Sequence, residues 1–340
     1  MGVGYPDMSA QPVLGRKNLA NLLLLLAVPL PAVAGARWLF ARFDPADPPV
    51  DPGWGGIASV DTAAAFLLQH LIVCVNVLFF LNVCVLFWLL SLVQRSTWLI
   101  DPYWTLIPLF IAGFYCAHPL ADPEPLRSGL AWLVLVAWSV RLTHNYFRRE
   151  GWRFGFREDW RFARSRAQSR HFWWVQFVYV YLAQQVMLVG LTLPFWALQF
   201  RATGIESWDP LLAGLALLGI GIAHAADTQL DAFMRGNAAR TARGEPPLPL
   251  LDTGIWRYSR HPNYFGEQLF WWSLAGWGFV VGEPWVIAGT AVNTAVLAAV
   301  TVMNERRMLE IPERRELYLA YRRRTPVWIP WPRRSSPDAA

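Results

Sequence analysis

Between residues 63 and 93 the chain runs for about thirty residues without an Asp, Glu, Lys or Arg. A helix apolar on every face for that length needs a bilayer, whose core takes about 20 residues and leaves the rest to tilt. Seven further apolar runs follow the same logic, at residues 18–40, 103–117, 130–147, 172–200, 211–233, 264–281 and 285–303, so the sequence predicts eight spans. Composition agrees, with 55% hydrophobic and 16% charged residues where soluble domains carry about 25% charged. The expected fold is all-α: a polytopic helical membrane protein with no soluble domain. The first run ends in the small-residue stretch Pro31-Ala32-Val33-Ala34-Gly35-Ala36, which suits a cleaved signal. Its length favours a retained helix; cleavage would leave seven spans.

The net charge of +6 rests on arginine, since Lys17 is the only lysine. Eight arginines lie in residues 148–170 and nine in 305–334, while the loops at 41–61 and 118–128 are acidic and Pro-rich. With both termini in the cytoplasm, every basic segment falls on the cytoplasmic side, as the positive-inside rule requires. Clusters at the ends of apolar runs read as topology determinants and anion contacts, not as a nucleic-acid surface. Cys74, Cys84 and Cys116 lie within apolar runs and have no disulfide or metal spacing.

The chemistry concentrates in Arg257-Tyr258-Ser259-Arg260-His261-Pro262-Asn263-Tyr264-Phe265-Gly266-Glu267. Pro262 suits the first position of a helix, which puts Asn263 and Glu267 four apart on one face. Two arginines and a histidine precede them, beside a helix N-terminus that itself favours anions. The stretch reads either as the seat of a phosphate-bearing cofactor or as the basic end of an ordinary membrane helix. Asp101, His144, Tyr146, His224, Asp227, Arg235, Glu305 and Arg306 are expected at the same level, which suggests a cavity open to the cytoplasm; snorkelling at an interface would give part of that convergence. Neither a metal-ligand spacing nor a Gly-x-Gly-x-x-Gly turn is present, so a dinucleotide would be held in a non-Rossmann way.

Arg257–Glu267 followed by Trp271-Trp272 resembles the signature of bacterial membrane proteins related to steroid 5α-reductases. The wider superfamily also holds sterol C14 reductases and isoprenylcysteine carboxyl methyltransferases. Ala226-Asp227-Thr228-Gln229-Leu230 supports the resemblance, as does the tail from Tyr318 through Tyr321-Arg322 and Thr325-Pro326 to Trp328-Ile329-Pro330-Trp331. It covers residues 94–331, which divides the chain into N-terminal transmembrane helices at 1–93 and a reductase-like domain with a polar tail at 94–340. What it implies is a bacterial inner-membrane enzyme with NADPH held by the C-terminal half. Asn263 would bind the nicotinamide amide, with Glu267 behind it. Asp227, Arg235, Arg257, Arg260, His261, Arg306 and Tyr318 would contact the ribose and phosphates. The steroid reductases bind the substrate carbonyl with a Glu–Tyr pair. Asn145-Tyr146-Phe147-Arg148-Arg149 resembles the segment carrying the tyrosine, and Asp101 is the candidate acid, one methylene shorter than the family's glutamate; an ordinary helix N-cap is its alternative role.

The activity implied is NADPH-dependent reduction of an activated, enone-like C=C bond in a lipophilic, steroid-like substrate, with membrane lipids as the other partner. The alternatives are an S-adenosylmethionine-dependent methyltransferase and a lipid-binding protein without enzyme activity. Substrate identity and oligomeric state are not encoded in these motifs.

Overall fold

A computed structural model describes residues 15–44, 46–201 and 203–333. Among the described residues every regular element is helical. Among the described residues six helices are long and apolar enough to cross a bilayer: α1 (Arg16–Phe40), α3 (Leu71–Gln94), α6 (Pro125–Arg149), α8 (Phe172–Phe200), α9 (Trp208–Ala242) and α11 (Pro284–Leu309). Between them lie α2 (Val60–Gln69), α4 (Ile100–Trp104), α5 (Ile107–Cys116), α7 (Trp160–Gln168), α10 (Pro262–Val280) and α12 (Pro312–Arg324). The protein is a polytopic helical membrane protein.

Six of the described helices meet that length and composition, against eight apolar runs in the sequence. The run at 103–117 yields only α5, ten residues long, or about 15 Å at 1.5 Å per residue. The run at 264–281 does become a helix, the 19-residue α10, but Asn263, Glu267 and Gln268 in its first half, and Ser273 after them, dilute its apolar character. The run at 63–93 is broken at His70, whose backbone leaves the helical region (φ −114°, ψ 69°) between α2 and α3. His70 is half-buried at this junction and pairs with Asp51 at 2.9 Å.

The described residues form two compact units, one built from residues up to 206 with 277–289, the other from 207–276 with 290 onward. In the N-terminal unit, α1 is interrupted at Pro29. Proline has no N–H, so the carbonyl of Leu25 loses its helical partner, and the Tyr103 hydroxyl donates to it instead. Asn82 Nδ2 donates to the Val28 carbonyl at 2.8 Å. Both α3 and α8 contain a π-helical stretch, Phe80–Phe87 and Phe177–Leu182, packed against each other. Polar side chains knit these two helices at membrane depth: Gln185 Nε2 donates to Asn76 Oδ1 at 2.9 Å, and the Cys84 thiol donates to Gln185 Oε1 at 3.3 Å. Thr105 and Thr143 hydroxyls meet at 2.6 Å and tie the start of α5 to α6.

In the C-terminal unit, α9 and α10 touch backbone to backbone where two glycines oppose each other. A Cβ on Gly266 would lie 2.5 Å from the Gly219 carbonyl oxygen and 2.7 Å from the Ala223 nitrogen. Neither helix can retreat without opening the buried seam of Ala223, Phe270 and Trp271. Gly266→Ala is therefore expected to lower the unfolding temperature by overpacking, at about 1–3 kcal/mol, and a midpoint equal to wild type would contradict the close approach. The helix that carries the apolar run 211–233 does not end there but continues through Arg235 as far as Ala242. Ala238, Ala239 and Ala242 favour helix strongly enough to carry Gly236, and Gly244 (φ 75°) ends it. Asn237 then accepts from the Leu248 N–H at 2.8 Å and donates to its carbonyl at 2.9 Å, folding the following chain back.

Candidate functional site

The Arg257–Glu267 stretch is held from two sides within the C-terminal unit. From α9, Gln229 Oε1 accepts from the Ile255 N–H at 3.0 Å, while the Trp256 indole donates back to the Ala226 carbonyl at 3.1 Å. From the tail, the N–H groups of Arg260 and His261 donate to the carbonyls of Pro326 (2.9 Å) and Val327 (3.0 Å), and the Trp331 N–H donates to the Tyr258 carbonyl at 2.9 Å. The Tyr321 hydroxyl reaches the carbonyls of Trp256 and Ser259. Trp328 Nε1 bonds Thr301 on α11 at 3.0 Å. The tail motif is thus a strap that fixes the backbone just ahead of α10.

Asn263 sits in the first turn of α10 and donates from Nδ2 to Asp227 Oδ1 at 3.2 Å. The structure therefore brings Asn263 and Asp227 together, from segments 36 residues apart. Next to them lies a buried ion cluster centred on Glu305 of α11. Glu305 Oε1 accepts from Arg260 Nε at 2.7 Å and lies 3.3 Å from His261 Nε2, and its other oxygen is 3.4 Å from Arg322. Arg260 also donates to the Thr325 carbonyl at 2.6 Å. The His261 ring stacks on Tyr264 (centroids 5.2 Å, planes 13° apart), and Asn304 Nδ2 donates to the Tyr264 hydroxyl at 2.9 Å. Tyr318 is buried; that burial, and then the Glu305 carboxylate, push its hydroxyl above the ordinary tyrosine range.

The cations divide sharply. Arg260 is enclosed by Glu305 and the strap, and Arg235 is ion-paired to Asp231 one turn earlier on α9. Arg257 and Arg306 are exposed, and their side chains have no hydrogen-bonded or ionic partner among the described residues. Glu267 is half-buried on the face of α10 that Asn263 begins. The residue that sequence patterning underrated is Glu305, noted only as closing its helix. An acid between Asn304 and Arg306-Arg307 at the end of an apolar helix was its one visible signal.

Asp101 and Tyr146 belong to the N-terminal unit. They are electrostatic neighbours without a direct hydrogen bond. Asp101 is no N-cap, because α4 starts one residue earlier and Leu99 occupies the cap position. It shares its surroundings with Glu150, Asp159, Arg149 and Arg161. Arg161 grips Asp159 with two hydrogen bonds of 2.9 Å. Burial opposes ionisation of Asp159, but that grip outweighs it and holds the carboxyl below its ordinary value. Glu150 lies 3.5 Å from Arg157, and burial still leaves its carboxyl raised.

Asp101 keeps part of its surface open, yet enclosure by protein, and then the Asp159 carboxylate, push its carboxyl up from 3.8 to about 8. The folded protein then holds a proton that the unfolded chain releases. Stability is expected to fall as pH rises from about 4 to about 8, and to be flat above that as far as this group is concerned. Asp101→Asn should remove that fall in thermal unfolding midpoints measured across the window; a variant that retains the wild-type slope would place the titration elsewhere.

The family described as a protein of unknown function, DUF1295, matches residues 87–325. The chain belongs to the DUF1295 family. That family is steroid 5α-reductase-like, and the match takes in Asp101, Tyr146, Asp227, the Arg257–Glu267 stretch, Glu305 and Tyr318. The chain is also similar to an uncharacterized protein of the fission yeast Schizosaccharomyces pombe, 26% identical over 246 residues, covering 66% of this chain and 70% of that protein. No solved structure matches the chain.

Proposed function

We propose that the protein is an NADPH-dependent membrane reductase acting on an activated, enone-like C=C bond of a lipophilic substrate. The observation that carries this reading is the Asn263–Asp227 hydrogen bond, in the same unit as the unpaired cations Arg257 and Arg306 and in a chain of steroid 5α-reductase-like family. The donor set fits the cofactor chemically. Asn263 offers an amide that can pair with a carboxamide, and Asp227 fixes which way that amide points. Arg257 and Arg306 present planar forks suited to phosphate, and Arg235 can add charge while keeping its bond to Asp231. Tyr318 and His261 line the same cluster beside Glu305. Glu267 sits one turn behind Asn263. NADPH, when bound, supplies hydride.

The chain's own contribution to the reaction is to bind, to orient and to hold a proton. Arg260, locked by Glu305, keeps the strap and the start of α10 in one arrangement, so that Asn263 is presented without reorganisation. Tyr146 donates a hydrogen bond to the substrate carbonyl as enolate charge builds on its oxygen. Asp101, with its proton retained at neutral pH, acts beside Tyr146 as a second donor rather than as a carboxylate.

Thermal unfolding of the detergent-solubilised protein tests the reading with NADPH, NADH and S-adenosylmethionine. NADPH at a hundredfold excess over its Kd should stabilise by about 2.7 kcal/mol. NADH should do less, because the 2′-phosphate finds no arginine partner in it, and Asn263→Ala should abolish the NADPH shift. A shift with S-adenosylmethionine alone would transfer the protein to the methyltransferase reading, and no shift with any of the three would leave a lipid-binding protein.

A further inference from the structure

The proline break in α1 has a second consequence. Beyond Pro29 the helix leaves a wedge-shaped cavity of about 340 Å³ between α1, α3 and α5, entirely within the N-terminal unit. That volume falls in the range of about 300–1,000 Å³ typical of small-molecule sites. Its walls are the apolar side chains of Val33, Leu78, Phe79, Phe110 and Phe114, among others. The polar groups that reach the wall have their donors engaged: the Tyr103 hydroxyl with the Leu25 carbonyl, and Asn82 Nδ2 with the Val28 carbonyl. An occupant therefore meets hydrocarbon and no free donor along the wall, which suits an alkyl chain.

Arg37 lines the same cavity, in the last turn of α1, and is exposed. It has no ionic or hydrogen-bonded side-chain partner among the described residues. Arg42, five residues on, contrasts with it: its guanidinium donates to the Trp38 carbonyl, lies 3.6 Å over the Trp38 ring and is within 4.0 Å of Asp61. One arginine is spent within the protein and the other stands at an apolar slot. An apolar slot with a single unpaired guanidinium recognises an amphiphile with an anionic head.

We infer that this wedge is a binding site for a phospholipid of anionic headgroup, one acyl chain seated between α1, α3 and α5 and the phosphate on Arg37. The site is independent of the reductase reading, since none of its lining residues belongs to the Asn263 or Tyr146 clusters, and most of α1 and α3 precedes the family match. Arginine serves the phosphate bidentately, and a net negative headgroup adds to that attraction where a zwitterionic one cancels it.

Native mass spectrometry of the full-length protein in detergent, with phosphatidylglycerol or phosphatidylcholine of identical chains, tests the site. Wild type should retain phosphatidylglycerol about tenfold better. Arg37→Gln should bring the two lipids to parity, and Ala36→Phe, which grows a ring into the cavity, should lower retention of both. Val33→Trp gives the same filling from another position should Ala36→Phe unfold. Glycerol phosphate, the head without chains, should displace nothing; displacement would make this a simple anion site. Equal retention of the two lipids by wild type, or unchanged selectivity in Arg37→Gln, or unchanged retention in a folded cavity-filled variant, would overturn the assignment. The NADPH-dependent thermal shift should be the same in all of these variants, which separates failure of this site from failure of the reductase reading.

Discussion

Glu305→Ala should lower the unfolding temperature more than any other single substitution in the C-terminal unit. Its carboxylate is about nine-tenths buried and receives Arg260 at 2.7 Å, with His261 at 3.3 Å and Arg322 at 3.4 Å on its two oxygens. Removing it leaves Arg260 enclosed without a counter-charge, and breaking a buried pair from one side costs about 3–5 kcal/mol. For a protein of this size that corresponds to a fall of about 4–7 °C. The same substitution should weaken NADPH binding, because the Arg260 guanidinium also holds the Thr325 carbonyl and with it the strap over the Asn263 helix start. Replacing both partners separates charge from packing. Arg260→Leu combined with Glu305→Leu exchanges a buried ion pair for apolar groups, which is often neutral, so it should recover most of the lost stability but not the cofactor shift. A double variant no more stable than Glu305→Ala would mean the buried charge is not the source of the loss.

The elements of this cluster were unequally legible in the sequence. The Asn263 helix start could be read locally, because proline, an amide and an acid at that spacing specify a helix N-terminus whatever the rest of the chain does. That Asp227 is its partner is a long-range pairing, and the residues around Asp227 alone could not announce it. Glu305 shows the limit most clearly: an acid at a helix end near arginines looks like an interfacial charge, and only the folded strap reveals that it is enclosed. The end of α9 was misread because Gly236 and a basic run resemble a loop, whereas the neighbouring alanines settle the local balance in favour of helix. The apolar runs outnumber the long apolar helices for a related reason. Apolar runs report burial in something greasy, and α5 satisfies that inside the protein with only ten residues. Pro31 was visible within a small-residue stretch, but the hydroxyl and amide that donate to the Leu25 and Val28 carbonyls come from residues 78 and 54 positions away.

Tyr146→Phe should abolish most turnover while leaving cofactor binding intact. Loss of one donor to a developing oxyanion costs on the order of 10²–10³ in rate, so NADPH oxidation with lipophilic enones should fall by that factor with an unchanged NADPH thermal shift. The neighbouring acid makes the prediction sharper. Asp101 carries its proton at neutral pH, its carboxyl raised to about 8 by burial and by the Asp159 carboxylate. While protonated it adds a donor beside Tyr146, and once ionised it opposes the negative charge gathering on the substrate oxygen. Activity should therefore fall as pH rises through about 8. Asp101→Asn, which keeps an N–H donor and cannot ionise, should remove that alkaline limb at some cost in rate. The two substitutions are coupled in this account: combined, they should lose less than the product of their separate losses, since each weakens the same charge-stabilising pair. Full turnover in Tyr146→Phe would end the assignment of Tyr146, and an alkaline limb that survives Asp101→Asn would end that of Asp101 while leaving the cofactor cluster around Asn263 to be judged on its own binding data.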